Sequence, residues 1–292
     1  MGKIDLHLHS YYSCDGEYSP RKLVEIAAGK NLRAVSLTDH NTLGGLKEFA
    51  TAGRDYALEV IPGIEFDSVY RGKSLHILGY YINMQDSELE RFAESIISRQ
   101  EVYIREIIAY FRQQGFSIEY NDVLKYKNKQ SIPGSVTVAE AIVKHKKNRE
   151  DPRVKPFINK GEKKNGFLDF VREYFPPAND WLSLPPVKKT VEVILAADGI
   201  PVLAHPGMNL DPDCREDVNL INHLKNLGLQ GMEAFSTYHD RRMDNRFYEL
   251  AKEIELFVTA GSDFHGRVKP GIEIGDVPAD SEEFLKAFKA NL

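Results

Sequence analysis

The strongest constraint on the fold is a rhythm that stops and later resumes. Over residues 1–83, short β-like runs alternate with helix-like stretches. Residues 3–8 form a short alternating run. Ser19-Pro20 supplies an N-cap and an N1 proline ahead of an amphipathic segment over 21–29. Ala34-Val35-Ser36-Leu37 reads as a buried strand, 43–56 as a helix, and 59–66 and 74–82 as strands. From residue 188 the rhythm returns, with helices over 188–197, 218–227 and 240–254 and strands over 200–204, 230–235 and 256–260. Strand, helix, strand at this spacing predicts βα units, and so an α/β domain with a mainly parallel sheet or barrel. The middle differs. Residues 86–114 read as one long helix, with Leu89, Phe92, Ile96, Ile97, Ile104, Ile107, Ile108 and Phe111 at helical spacings. A lysine-rich stretch then runs through Lys164, followed by a helix-like segment over 166–175 and the proline-rich Phe175-Pro176-Pro177 and Leu184-Pro185-Pro186. One α/β domain, residues 1–83 and 188–292, is therefore expected to carry a mainly helical insertion over 84–187.

Charge and cysteine usage narrow the partners. A formal charge of −5 and a pI near 6.0 argue against a broad nucleic-acid-binding surface, while leaving room for a nucleotide or short oligonucleotide in a local pocket. Cys14 and Cys214 are the only cysteines, too few for a disulfide framework or Cys-x-x-Cys zinc ligation. Met1-Gly2-Lys3-Ile4-Asp5 has no apolar core of a signal peptide, and no apolar run approaches the roughly 18 residues of a membrane span. A cytoplasmic protein without a membrane partner is the expectation.

The chemistry lies in where histidines and carboxylates fall relative to the strands. His7 and His9 alternate along the first strand, so both side chains face one side. His40 closes Thr38-Asp39-His40 at the end of the second, and Glu65 lies near the end of the third. His76 lies in the fourth, His205 closes the fifth in Ala204-His205-Pro206-Gly207, and Asp263 and His265 follow the last. Parallel α/β sheets and barrels gather their sites at strand C-termini. A single histidine at a strand end is ordinarily a hydrogen-bonded core or surface residue; the convergence is what carries the argument. So many imidazoles and carboxylates buried together require partners, and divalent cations supply them. Without thiolates, the donor set suits zinc, iron or manganese.

These residues resemble the motifs of the PHP (polymerase and histidinol phosphatase) superfamily: His7-Leu8-His9, Thr38-Asp39-His40, Glu65, Ala204-His205-Pro206-Gly207 and Asp263-Phe264-His265. The resemblance spans both ends of the chain and brackets the insertion. It implies a distorted (β/α)₇ barrel holding two or three divalent ions, Mn²⁺, Zn²⁺ or Fe²⁺. By position, it implies that His7, His9, Glu65 and Asp263 hold a first ion and that Glu65 bridges to a second held by His76 and His205. A third would be held by Asp15, His40 and His265. One departure concerns that third set. The family's Ser-Asp-Gly places its aspartate five residues after the second histidine, whereas Ser13-Cys14-Asp15-Gly16 places Asp15 six after His9. Cys14 and Glu17 remain alternatives to it.

The resemblance implies a phosphoesterase that works by in-line attack of a metal-bridged hydroxide. His239, which follows a strand, is the candidate general acid; the alternative is a histidine that merely begins the next helix. Within the superfamily, His76-Ile77-Leu78-Gly79-Tyr80 and the segment from Ser262 through Lys269-Pro270-Gly271 are most similar to one branch of single-chain proteins with a helical insertion. That branch includes nucleoside-monophosphate phosphatases, 3′,5′-bisphosphate nucleotidases and 5′→3′ exonucleases of short RNAs. It implies a nucleotide or short-oligonucleotide substrate under a cap formed by the insertion, with Arg99, Arg241, Arg267 and Lys269 as phosphate contacts and Tyr238 stacking on a base. Here too the chain departs from its relatives: where many carry Gly-Arg-Pro-His it has Gly134-Ser135-Val136-Thr137. Histidinol phosphate or another small phosphomonoester is the alternative substrate. A non-catalytic metal-binding regulatory module and a metal-dependent amidohydrolase are the remaining readings.

Overall fold

The computed structural model describes residues 3–158, 166–176 and 183–277. Lys164 and Pro177, at the ends of the lysine-rich and first proline-rich stretches, lie outside the described residues. Seven strands follow one another around the sheet in chain order: β1 (Ile4–Leu8), β2 (Ala34–Leu37), β3 (Glu59–Tyr70), β4 (Lys73–Tyr80), β5 (Ile200–Leu203), β6 (Gly231–Ser236) and β7 (Phe257–Gly261). A parallel bridge from Leu8 to Phe264, with the His9 N–H donating to the Phe264 carbonyl at 3.0 Å, brings the two edges together. The fold is mixed α/β, a nearly closed seven-stranded barrel.

The sheet is not uniformly parallel. β1–β2–β3 and β5–β6–β7 pair in parallel, but β4 runs antiparallel to both of its neighbours. The reason is local. Tyr70 and Lys73 are joined through Arg71 (φ 49°) and Gly72 (φ 77°), two left-handed residues that make the tight turn of a β-hairpin. β3 consequently extends four residues past the expected Phe66, and Asp67 faces His76 across the ladder. Because β4 runs backwards, His76 reaches the mouth of the barrel from the first half of its strand.

Helices cover the barrel. The Ser19 hydroxyl accepts the Lys22 N–H at 3.0 Å and caps α1 (Pro20–Gly29), which buries Leu23, Val24 and Ala27. α2 (Leu46–Asp55) packs beside it, burying Leu46, Phe49 and Ala52. After β4, Asp86 accepts the Leu89 N–H at 2.8 Å and starts α3 (Ser87–Gln113), a 27-residue helix some ~40 Å long. Its apolar stripe serves two cores in succession. Leu89, Ala93 and Ile96 pack with the barrel's helices, whereas Tyr103, Ile104, Ile107, Ile108 and Phe111 join a second cluster with Phe116, Val138, Ile142, Phe157 and Phe170. That cluster is completed by α4 (Tyr120–Val123), α5 (Ser135–Lys144), α6 (Lys155–Ile158) and α7 (Gly166–Tyr174). This second contiguous apolar core, against which Val69 of β3 also packs, stabilises the helical segment. Among the described residues, no helix is long and apolar enough to cross a membrane.

Candidate metal centre

The mouth of the barrel is a buried cluster of imidazoles and carboxylates around Glu65. The Glu65 side chain is 0% exposed. Its Oε2 lies 3.1 Å from both His7 Nε2 and His9 Nε2, while Oε1 lies 2.9 Å from His76 Nδ1 and 3.1 Å from His205 Nε2. Asp263 Oδ1 adds contacts of 3.4 Å to His7 Nε2 and 3.0 Å to His9 Nε2. On the other side of His9, Asp15 Oδ2 is 3.2 Å from His265 Nε2 and 3.9 Å from His40 Nε2.

The possible ligand atoms fall into overlapping groups, each within 4.8 Å: His7, His9, Glu65 and Asp263; Glu65, His76 and His205; His9, Asp15, His40 and His265; and His40, Asp67 and His76. Glu65 is common to the first two, so its two oxygens can serve two ions. Burial leaves His7 Nε2, His9 Nε2, Asp15 Oδ1, His40 Nδ1, Glu65 Oε2, Asp263 Oδ1 and His265 Nε2 without a hydrogen-bond partner. Buried polar atoms without partners cost about 1–3 kcal/mol each, and here they point at one another. Divalent cations fit this donor set, and imidazole with carboxylate suits the borderline metals.

The loop carrying Asp15 absorbs its extra residue. The Ser13 N–H donates to the Ser10 carbonyl at 3.0 Å, and Gly16 comes so close that a Cβ there would sit 2.0 Å from the Ser10 oxygen. The resulting tight turn swings Asp15 back to His265. Cys14 Sγ instead faces Gly134 of the helical segment, and Glu17 Oε2 accepts the Arg267 N–H at 2.7 Å. Of the three candidates, only the Asp15 carboxylate joins a ligand group.

Electrostatics within the cluster follow from burial and neighbours. Burial disfavours a charged Glu65, but His7, His40 and His76 outweigh it and hold its carboxyl well below the usual range. Asp15 is lowered against burial by His265 and His40. His76 is raised to about 9 against burial by Glu65, and His9, buried beside His265, is lowered to about 4. Asp263 stays ionised against burial chiefly because the Lys269 ammonium sits on its Oδ2.

The expected substrate residues are only partly gathered here. Lys269 lies at the cluster, bound to Asp263 and 4.7 Å from the centroid of the Tyr238 ring, whose own centroid is 5.0 Å from that of His205. The Arg267 guanidinium donates to Glu140 of α5 at 3.2 and 3.3 Å, so it joins the loop after β7 to the helical segment. Arg99, exposed on α3, donates to the Ser183 carbonyl at 3.1 Å. Arg241 is exposed at the first position of the helix Arg241–Glu253.

The His239 side chain is 0% exposed, Nε2 accepts the Gly207 N–H at 2.9 Å, and Nδ1 lies 3.0 Å from the Ala234 carbonyl and 3.3 Å from Asp244 Oδ1. Both nitrogens are engaged within the protein, and the ring braces the turn after His205.

Glu233 and Asp67 escaped the sequence reading, and Asp39 entered it only as part of the Thr38-Asp39-His40 motif. Glu233, fully buried in β6, contacts His7 Nδ1 at 3.0 Å. Asp67 Oδ1 lies 3.3 Å from His76 Nε2. Asp39 accepts the Ser10 N–H and hydroxyl, both at 2.6 Å, and burial pushes its carboxyl up to about 7. The available signal was a single acidic residue inside an apolar strand, as in Gly231-Met232-Glu233-Ala234-Phe235.

A nearly closed seven-stranded barrel whose mouth gathers imidazoles and carboxylates fits a metal-dependent hydrolase. The comparisons with known proteins specify which kind. The PHP domain family matches residues 5–96. The chain is 28% identical to a 5′-3′ exoribonuclease of Haemophilus influenzae over 90% of either chain. It is 26% identical to a 3′,5′-nucleoside bisphosphate phosphatase of Chromobacterium violaceum, over 100% of this chain and 98% of that one. An amidohydrolase structure from Chromobacterium violaceum, with bound sulfate and no metal, superposes with a TM-score of 0.79 at 25% identity, covering 98% of this chain and 96% of that one. With a PHP domain match over residues 5–96 and relatives named as phosphatase and exoribonuclease along nearly the whole chain, the protein is a metal-dependent phosphoesterase.

Proposed function

We propose that this phosphoesterase acts on nucleotides, removing phosphate from a mononucleotide such as AMP or a 3′,5′-bisphosphate, or acting at the 5′ end of a short RNA. The observation that carries the reading is the mouth itself, where partnerless ligand atoms of His7, His9, Asp15, His40, Glu65, Asp263 and His265 converge. The full-length relatives, one a nucleoside bisphosphate phosphatase and one an exoribonuclease, support the substrate class.

In this reading His7, His9, Glu65 and Asp263 hold a first ion, Glu65, His76 and His205 a second, and Asp15, His40 and His265 a third. Bound divalent ions would lower the pKa of a coordinated water and offset charge on the phosphoryl oxygens. The chain's own groups orient and neutralise. Lys269 balances the outer oxygen of Asp263 and presents a cation at the mouth. Tyr238 sets an aromatic face against His205, where a base or ribose could rest. Residues 84–187 act as the cap, tied to the barrel through Arg267–Glu140 and through the approach of Gly134 to Cys14.

The test is a hydrolysis screen of the manganese-, zinc- and iron-loaded protein against AMP, a 3′,5′-bisphosphate nucleotide, 5′-phosphorylated short RNA and histidinol phosphate. Turnover of at least one nucleotide substrate well above histidinol phosphate is expected. Preference for histidinol phosphate would overturn the substrate class.

A further inference from the structure

We infer that Glu233 is a positioning residue that fixes the ring tautomer of His7 and steadies the backbone of His205. This rests on the metal-site assignment above. Glu233 is 0% exposed in β6 and shares its two oxygens between two strands. Its Oε1 lies 3.0 Å from His7 Nδ1, and its Oε2 accepts the backbone N–H of His205 at 2.8 Å. Neither partner is an ordinary one. His7 directs Nε2 at Glu65 and Asp263, the carboxylates of the first ligand group. His205, in the second group, has a left-handed backbone (φ 23°), a conformation that a β-carbon makes costly.

A metal-ligating histidine can offer Nε2 only if the proton sits on Nδ1, and a buried carboxylate against Nδ1 selects that tautomer. Glu233 is such a carboxylate. The pocket is built for it. A Cβ on Gly261 would lie 2.2 Å from His7 Cβ and 2.4 Å from Glu233 Oε1, so the absence of a side chain there lets ring and carboxylate meet. The second oxygen, holding the His205 N–H, steadies the strained turn that aims His205 Nε2 at Glu65, 3.1 Å away.

Glu233→Gln separates positioning from bulk support. The amide is nearly the same size, and its oxygen must stay on the His205 N–H, because an N–H cannot face an NH₂. The NH₂ then faces His7 Nδ1 and requires an acceptor, which moves the ring proton onto Nε2, the atom that should bind the ion. Zinc affinity, measured by competition with a chelating dye and without substrate, should fall roughly ten- to a hundredfold for one ion. The other sites should keep theirs, and circular dichroism should stay native. A purely structural brace would lower the melting temperature and leave the affinity of the folded protein unchanged. Unchanged affinity in folded Glu233→Gln would overturn the inference while leaving the phosphoesterase reading intact. A wild-type chain that takes up no zinc would overturn both. Should the variant not fold, ¹H–¹⁵N spectra of zinc-loaded wild type decide the matter: the His7 Nδ1 proton should be shifted downfield and protected from exchange, as a hydrogen bond to a carboxylate requires, and an unshifted, freely exchanging Nδ1 proton would refute the role of Glu233.

Discussion

Glu65 serves two ligand groups through separate oxygens, so its loss should damage two ion sites at once. Its carboxylate reaches His7 and His9 through one oxygen and His76 and His205 through the other, all at 2.9–3.1 Å. Structural zinc sites in peptides bind with roughly 10–16 kcal/mol from four ligands, or about 3 kcal/mol per ligand. Glu65→Gln keeps the shape and a weak carbonyl donor but removes the charge. Each of the two ions should therefore lose about 1.5–3 kcal/mol, a roughly ten- to hundredfold drop in affinity. Chelator competition with zinc reads each step, and Asp15→Asn serves as the control because Asp15 belongs to the group of His9, His40 and His265. Glu65→Gln should weaken two steps, and Asp15→Asn one. Weakening of a single step by Glu65→Gln would refute the bridge, and affinities within about threefold of wild type would refute the assignment of Glu65 altogether.

Three further outcomes are expected. Lys269→Met removes the cation from a buried pair, a change that costs about 3–5 kcal/mol when the remaining charge is left alone. The melting temperature should fall by several degrees in chelator-treated protein but much less with zinc present, since an ion on Asp263 also neutralises it; equal losses would refute this coupling. His239→Ala should cost about 2 kcal/mol, for two lost hydrogen bonds, while kcat on the best nucleotide substrate stays near wild type. A fall of roughly a hundredfold or more in kcat would identify His239 as the acid. Dialysis against a chelator should lower the melting temperature, because each ion held at a thousand times its Kd stabilises by about 4 kcal/mol; calorimetry with and without zinc checks this, and coincident melts would mean no tight site.

The barrel was legible because its strands are short apolar runs set between capped helices, a pattern fixed by local chemistry. Ser19-Pro20 and the 3.6-residue spacing of Leu23, Val24 and Ala27 needed no partner to be read. The direction of β4 was not legible from hydrophobicity, which is blind to strand polarity. It follows from the left-handed pair Arg71-Gly72, and with it the place of His76 in the first half of its strand. The contacts of Arg99 and His239 were not legible for a different reason. Their partners, the Ser183 carbonyl and the Gly207 N–H, lie 84 and 32 residues away along the chain. Nothing in the local sequence of either residue reports whether a distant backbone group will claim its nitrogens.

The same distinction explains why the atoms that can ligate were visible and those behind them were not. A ligand histidine at a strand end announces itself by being polar where the core requires apolar residues. The residue that orients it, Glu233 for His7 or Ser13 for His9, is polar in an otherwise unremarkable position and gains meaning only from the contact. Two residues of the candidate ligand groups also sit in left-handed backbone, His205 at φ 23° and Asp263 at φ 54°. Such conformations cost about 1–3 kcal/mol each and persist where the surroundings over-determine them. Here those surroundings are the Glu233 carboxylate on the His205 N–H and the Lys269 ammonium on Asp263. The protein thus holds two of its candidate donors, His205 and Asp263, in strained backbone. The free energy of ion binding is then drawn upon to stabilise the folded mouth of the barrel, and fold stability and catalytic competence should rise together as the sites fill.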